Sequence, residues 1–475
     1  MSKIARAPAA PPALGPTDPR FYDERDLEDE LRRTFQICHE CRMCVGYCGS
    51  FPELFKRVDR DIESGKAEGA EALDAADFTA IADECWQCKL CFVKCPYTKD
   101  DGAYELLDYP RLMAREKAVR AKRNGVAWVD RLLGEPHVVG ALGGGPAASV
   151  TNLVHASRLV RKVQEKVTGI SSEFPIPPMV TQSFSSWHKQ HEKSRPEAHD
   201  HGKEFERGGD TVVLYATCYG EHNAPSVPKA AVAVLEHNGF RVLRPGQLEP
   251  NDAPPAPTCC GMPNLDGGDV DAFIQKIKHE VSLLYPQVER GWKIAVIGPT
   301  CSYTMKNEWP EYLPTKEVKA VAAATMDVMQ FLVELGRAKR LALEFKAPLG
   351  NVAYHAACHL RAQKIGFPGQ RVLSKVPDTD VRVIEECSAV DGTWGMKARH
   401  YATGRKYAAK LVRAAIDSEP DLVVTDCTLS AYRIAHERQL AGAEGVRVVH
   451  PIEALAEAYG LGEATGSKGI SPDSA

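Results

Sequence analysis

The first 125 residues place apolar side chains at helical spacing. In FYDERDLEDELRRTFQ, Leu27, Leu31 and Phe35 recur every four residues and share one helix face. The alanine-rich EALDAADFTAIADE predicts a second helix, and residues from about Ala103 to Arg123 predict a third. The third carries Arg111, Arg115, Lys117, Arg120, Lys122 and Arg123. This is a solvated basic face, or a docking surface for an acidic partner or an anionic membrane. Within 125–170, GVAWVDRLL and TNLVHASRLVRKVQEKV are weakly amphipathic, and such stripes either pack on the protein or lie in a membrane interface. The charges and prolines of 171–210 predict an extended linker, and the Ala/Pro-rich residues 1–20 predict disorder.

After residue 210 the pattern changes to apolar runs alternating with helices. TVVLYATC, KIAVIGPTC, NVAYHAAC and DLVVTDC each read as a buried parallel strand ending at a cysteine: Cys218, Cys301, Cys358 and Cys427. Open α/β sheets bind ligands beyond the carboxyl ends of their strands, so these thiols are expected to converge on sites at one sheet edge. TCCGMPN adds Cys259 and Cys260, and VIEECSAVDGTWGMK adds Cys387. The separations repeat: 41 positions from Cys218 to Cys259, 41 from Cys260 to Cys301, and 40 from Cys387 to Cys427. The order Cys218, Cys259-Cys260, Cys301 therefore recurs as Cys358, Cys387, Cys427, an internal duplication. Helices are expected over Ser226 to Asn238, Asp269 to Tyr285 and Lys397 to Ser418, with Gly239 stopping the first.

Bulk composition narrows the class. A chain of 475 residues has room for about three domains. A net charge of −4 argues against a general nucleic-acid binder. The 15 cysteines, an odd number with eight before residue 96 and seven after residue 217, fit a reducing compartment. The N-terminus lacks an apolar segment of signal-peptide length, and 138–154 is interrupted by three consecutive glycines and a proline. The expectation is a cytoplasmic protein, or one at the cytoplasmic face of a membrane by peripheral association.

The chemistry lies in two N-terminal runs, CHECRMCVGYCG and CWQCKLCFVKCP, each spaced C-x2-C-x2-C-x3-C. Zinc takes four ligands, usually as two separated pairs, and disulfides across two-residue gaps would be strained. Three thiolates at steps of three wrap one [4Fe–4S] cluster, while in two-cluster ferredoxins the fourth ligates the other cluster. One cluster is thus expected on Cys38, Cys41, Cys44 and Cys95, and the other on Cys85, Cys88, Cys91 and Cys48. Gly49 replaces the proline that usually follows the fourth cysteine. The 36 residues between the runs suggest helices holding them apart, as in the helical ferredoxin domains of respiratory reductases.

The duplicated cysteine pattern resembles the CCG cysteine-rich domains of heterodisulfide reductase-related iron–sulfur oxidoreductases. The strings CCGMP, GPTCSYTMKNEWP, HAACHLRAQKIG, DGTWGMK and TDCTLSAYRI carry the likeness. Together with the N-terminal runs, the layout resembles the iron–sulfur subunit of anaerobic glycerol-3-phosphate dehydrogenase. The iron–sulfur subunits of glycolate and lactate oxidases share it more loosely. The resemblance implies an α+β multidomain chain, with an all-α two-cluster ferredoxin-type module followed by two duplicated α/β CCG domains. The expected bounds are 1–20 disordered, 21–125 the 4Fe–4S domain, 126–210 helical segment and linker, 211–345 and 346–462 the two CCG domains, and 463–475 a tail. In that family the motif ends in C-x-x-C and five cysteines hold a noncubane cluster. Here Thr304 and Ser430 stand at the last position of each copy, and Glu386 replaces one cysteine of the second pair. A four-ligand cluster on Cys218, Cys259, Cys260 and Cys301 remains open. The second copy holds a metal, shares ligands with the first, or is vestigial. His355 and His359 flank Cys358 as further ligands or as ordinary polar residues.

No G-x-G-x-x-G follows a strand, so the substrate-oxidising flavin or nicotinamide site is expected on a partner chain. The leading expectation is an electron-transfer subunit with two [4Fe–4S] clusters and a third cluster or metal in the CCG pair. It would run from a flavoprotein dehydrogenase to a quinone or other acceptor. Two alternatives stand beside it. One is a self-contained thiol–disulfide or peroxide-stress reductase using the CCG cysteines. The other is a redox-sensing scaffold.

Overall fold

The computed structural model describes residues 6–194, 210–249 and 252–462. Within it the chain divides into two compact units. The first is Met1–Gly134 with Pro263–Ile274 and Glu311–Leu313; the second is Glu135–Met262, Gln275–Pro310 and Pro314–Ala475.

The first unit is helical. Asp23 caps α1 (Glu24–Cys41) by accepting the amides of Arg25 and Asp26, and Leu27, Leu31 and Phe35 are buried as their spacing requires. Helix α2 (Ser50–Glu63) buries Phe51, Leu54, Phe55 and Val58. A reciprocal capping box of Asp74 and Asp77 starts α3 (Ala75–Asp83). The short α4 (Leu90–Lys94) lies inside the second cysteine run. The third long helix, α5 (Tyr109–Asn124), begins six residues later than its pattern suggested, because the Asp108 side chain caps it and Pro110 occupies its first turn. Tyr109 stacks on Phe51 at 4.6 Å and meets the Ser50 hydroxyl at 2.7 Å. The six-residue α6 (Trp128–Leu133) follows and buries none of its side chains. Residues 6–20 form no helix or strand, yet Ala13 is fully buried, which corrects the expected disorder from Arg6 onward. Residues 1–5 lie outside the described part.

The basic stretch on α5 is split: Lys122 and Arg123 at its end are exposed, while Arg111 and Arg115 are turned inward. Arg115 is buried, donates to the carbonyls of Phe21 at 2.8 Å and Arg20 at 2.6 Å, and pairs with Asp26 at 2.8 Å. Arg111 pairs with Glu311 at 3.3 Å and Arg120 with Asp83 at 2.7 Å. The guanidinium groups satisfy backbone carbonyls and carboxylates inside the unit, a use that charge counting cannot reveal.

Three consecutive helices of the second unit, α7 (Pro136–Gly143), α8 (Ala148–Ala156) and α9 (Arg158–Thr168), bury almost nothing apolar. Leu142, Leu153 and Leu159 are 74–75% exposed, and Val150, Val163 and Val167 are also open to solvent. These stripes do not pack on their own unit. No helix among the described residues is long and apolar enough to cross a membrane. Residues 184–194 of the expected linker instead form α10 (Phe184–Ser194), which buries Phe184 and His188, and the His188 ring meets the Val242 carbonyl at 3.2 Å. Its apolar residues are too few to stand out against the flanking charges.

The rest of the second unit holds two four-stranded parallel sheets. β1 (Thr211–Tyr215), β2 (Arg241–Leu243), β3 (Lys293–Val296) and β4 (Thr325–Asp327) are ordered β2-β1-β3-β4. β5 (Gly350–His355), β6 (Thr379–Ile384), β7 (Leu422–Thr425) and β8 (Val448–Val449) are ordered β6-β5-β7-β8. The identical order is the structural form of the duplication. The central strands β1 and β7 are buried along their length, as continuous apolar runs predict. Helices fall at Ser226–His237, Val270–Glu289 and Ala398–Asp417, within a few residues of expectation. Residues 195–209 and the tail from 463 lie outside the described part.

His450 caps the last helix (Pro451–Ala458) as a neutral ring, accepting the Ile452 amide at 3.1 Å. Burial pushes its pKa down to about 3. A depressed histidine is protonated in the unfolded chain before the folded one, so its contribution is intact above about pH 6.5 and is lost as pH falls toward 3. Thermal stability between pH 7 and 4.5 is expected to fall less steeply in His450→Asn, which keeps a capping acceptor but does not titrate; melting curves across that range check it.

Candidate metal centres

The last turn of α1 carries Cys38 and Cys41, and a left-handed Arg42 (φ 52°) turns the chain so that Cys44 follows. The second run bends at Gln87 and Lys89, both at positive φ. The folded chain brings the runs together crosswise. A cavity is lined by Cys38, Cys41, Cys44 and Cys95, with Phe51 and Leu107 among its apolar walls. Burial pushes the Cys38 thiol well up, and Cys95, Cys44 and Cys41 push it further. Cys48 is buried, with Cys85 and Cys88 its main charged neighbours, and Cys91 is influenced by Cys88, Cys85 and Cys48. Each quartet is completed by the fourth cysteine of the other run.

In the second unit, Cys218, Cys259, Cys260 and Cys301 form a third group. Cys218 Sγ lies 3.9 Å from Cys259 Sγ. The S–H of Cys218 holds the Cys259 thiol well below its usual range, with a further push from Cys260. Cys260 is pushed well up by its contacts with Cys259 and Cys301 and by burial. Gly261 adopts φ +88°, a conformation a side chain resists, so the glycine after the cysteine pair is required by the turn. The buried Trp309 indole donates to the Cys260 carbonyl at 2.9 Å. Glu280 accepts from the Thr258 amide at 2.5 Å and its hydroxyl at 2.8 Å, anchoring the stretch of chain that leads into the pair. Glu280 lies in no motif, and Trp309 was read only as part of the string GPTCSYTMKNEWP; the fold is what brings both to the loop.

The second copy is arranged differently. Cys358 sits at the start of a short helix (Cys358–Ala362) after β5. Cys387 accepts the Ala389 amide at 3.2 Å, and burial pushes it up to about 11. After burial, Ser430 is the main influence on Cys427. Thr304 donates to the Thr300 carbonyl at 2.7 Å, and Ser430 pairs with Ser388 at 2.8 Å, so the hydroxyls at the two missing-cysteine positions are internally bonded. Glu386 is exposed. His355, pushed down to about 4 by burial, spans Thr425 at 2.8 Å and the Glu386 carbonyl at 3.2 Å, and His359 meets Thr300 at 3.0 Å. Both rings serve the packing around the copies.

Four buried or half-buried thiols gathered together need a positive group among them once ionised, and a cluster would provide it while deprotonating its ligands. Zinc would hold four thiolates at about 2.3 Å. Among the described residues no three His, Cys, Asp or Glu side chains are gathered closely enough for a single ion. An iron–sulfur cluster spreads its four thiolate ligands over four irons.

Residues 31–122 match the Citrate utilization protein B Fer4-like domain, and 212–306 and 352–429 each match the Cysteine-rich domain called CCG. A subunit of the anaerobic glycerol-3-phosphate dehydrogenase of Escherichia coli (strain K12) is 25% identical over 315 residues, covering 66% of this chain and 73% of that protein. Lactate utilization protein A of Oceanobacillus iheyensis is 30% identical over 198 residues, 39% of this chain and 73% of that one. A subunit of the fumarate reductase (CoM/CoB) of Methanothermobacter marburgensis is 25% identical over 256 residues, 53% of this chain and 47% of that one.

Burial pushes the Glu280 carboxyl up to about 7. A raised acid is neutral in the fold where it is already ionised in the unfolded chain, so its contribution is full below about pH 4.5 and is lost as pH rises through 7. Glu280→Gln keeps an acceptor for Thr258 and removes the ionisation. Its melting temperature relative to the parent protein is expected to be similar at pH 5 and higher at pH 8.

Proposed function

The chain belongs to the iron–sulfur oxidoreductase family defined by CCG cysteine-rich domains, and from that premise we propose that it relays electrons from a flavoprotein dehydrogenase to a quinone. The observation that carries this reading is the gathering of twelve cysteines into three quartets, two in the first unit and one in the second. Cys38, Cys41, Cys44 and Cys95 would hold one [4Fe–4S] cluster, Cys48, Cys85, Cys88 and Cys91 a second, and Cys218, Cys259, Cys260 and Cys301 a third. These clusters supply one-electron chemistry when bound. The chain's own part is to bury and orient the thiolates, keep water from them, and hold the cysteine-pair loop through Glu280 and Trp309.

Anaerobic iron and sulfide analysis with EPR tests the assignment. About twelve iron per chain are expected, falling to about eight in Cys260→Ser with the two N-terminal signals retained. About eight iron in both proteins would remove the third cluster. A second reading rests on the 3.9 Å approach of Cys218 and Cys259, which suits a dithiol that cycles with a disulfide. It expects that eight-iron result, with disulfide reduction requiring Cys259 and no partner chain.

The reading includes peripheral attachment to a membrane through α7–α9. Their outer apolar residues are accompanied by exposed Arg158, Lys162 and Lys166, while Glu165 accepts the Ser172 amide. This composition suits an anionic lipid interface. The protein is expected to float with vesicles containing phosphatidylglycerol, and Leu142→Asp with Leu153→Asp is expected to remain in the soluble fraction while folding normally. Flotation unchanged by the two aspartates would sink this part.

A further inference from the structure

A cleft opens beside Cys218 in the first CCG copy, walled by Phe184, Leu214, Pro245 and Pro257. Arg244 faces this cleft. Its Nε is buried without a hydrogen-bond partner among the described residues. Glu221, also in the lining, is occupied by the Ser185 amide at 3.0 Å and hydroxyl at 2.9 Å. The lining is therefore close to neutral overall, with one cation balanced by one carboxylate. His222 completes it as a neutral ring, since burial lowers its pKa.

We propose that this cleft is the quinone headgroup site, a proposal that rests on the relay reading above and gives its acceptor a place. A flat ring with two carbonyl oxygens suits apolar walls and the guanidinium of Arg244 as donor. A free carboxylate would meet Glu221 as well as Arg244 and gain little net attraction. The position also fits a lipid-borne ligand. His222 packs directly on α7: a Cβ on Gly140 would lie 2.4 Å from its ring, and the Val180 amide donates to its carbonyl at 3.1 Å. The outer side of that same helix exposes Val138, Val139 and Leu142. The headgroup thus sits one helix thickness from the surface assigned to lipid, and next to a thiol of the third quartet. Two electrons, supplied by the reduced flavoprotein through the chain, and two protons from water convert the bound quinone to quinol.

The test is calorimetric binding of a short-chain ubiquinone analogue, with pyruvate as the carboxylate comparator. It uses the full-length, cluster-loaded, oxidised protein, so that no turnover occurs. Arg244→Met removes the donor and Ser185→Phe fills the cleft. Both are expected to weaken quinone binding at least tenfold with iron content and N-terminal EPR signals unchanged. Quinone binding that persists in both variants, or a parent protein that binds pyruvate and no quinone, would overturn the assignment. Failure of the relay itself is read separately, as clusters that a reduced flavoprotein cannot reduce in the absence of any quinone.

Discussion

Buried sulfur is the constraint on which the structure depends. A thiol is easily buried, but four thiols brought together repel one another as soon as they ionise, and burial penalises each charge. The fold accepts that cost three times. In the first unit every surrounding device serves to close the cysteine runs on each other: the left-handed turns at Arg42, Gln87 and Lys89, and the aromatic stack of Phe51 on Tyr109. An iron–sulfur cluster would turn this electrostatic liability into a local stabilisation, because its positive irons offset the thiolate charge.

The second unit reaches the same end by a different route. A parallel sheet delivers each strand's carboxyl end to one edge, so repeating the sheet repeats the cysteine positions. The copies then diverge. The first adds a cysteine pair and a glycine that permits its turn, gathering four sulfurs. The second has Glu386 in place of one cysteine of the pair, and its remaining thiols sit among other partners, with Ser430 bonded to Ser388. Equivalent strands thus support one complete quartet and one set of separately bonded thiols.

Much of this was legible in the chain. Cysteine spacing is local and rigid in meaning, so the two crosswise quartets, the duplicated strand-then-cysteine units and most helices could be read before any coordinates. Four-residue periodicity located α1, and continuous apolar runs located β1 and β7, because burial on one face or on both leaves different patterns. The start of α5 was missed because a single cap, Asp108, outweighed helical composition upstream.

What only the tertiary structure decided concerns partners far apart in sequence. Arg115 reads as surface charge until Phe21, Arg20 and Asp26 surround it. Glu280 and Trp309 are ordinary helix residues until the fold sets them against the cysteine pair. The outer apolar faces of α7–α9 show the converse. Their pattern was readable, but whether the protein covered it was not. The sequence determined the ligand runs and the elements that carry them, because those depend on neighbours a few positions away. The tertiary structure decided which charges are satisfied, which apolar faces stay open and where a cleft forms, because each depends on what arrives from elsewhere in the chain.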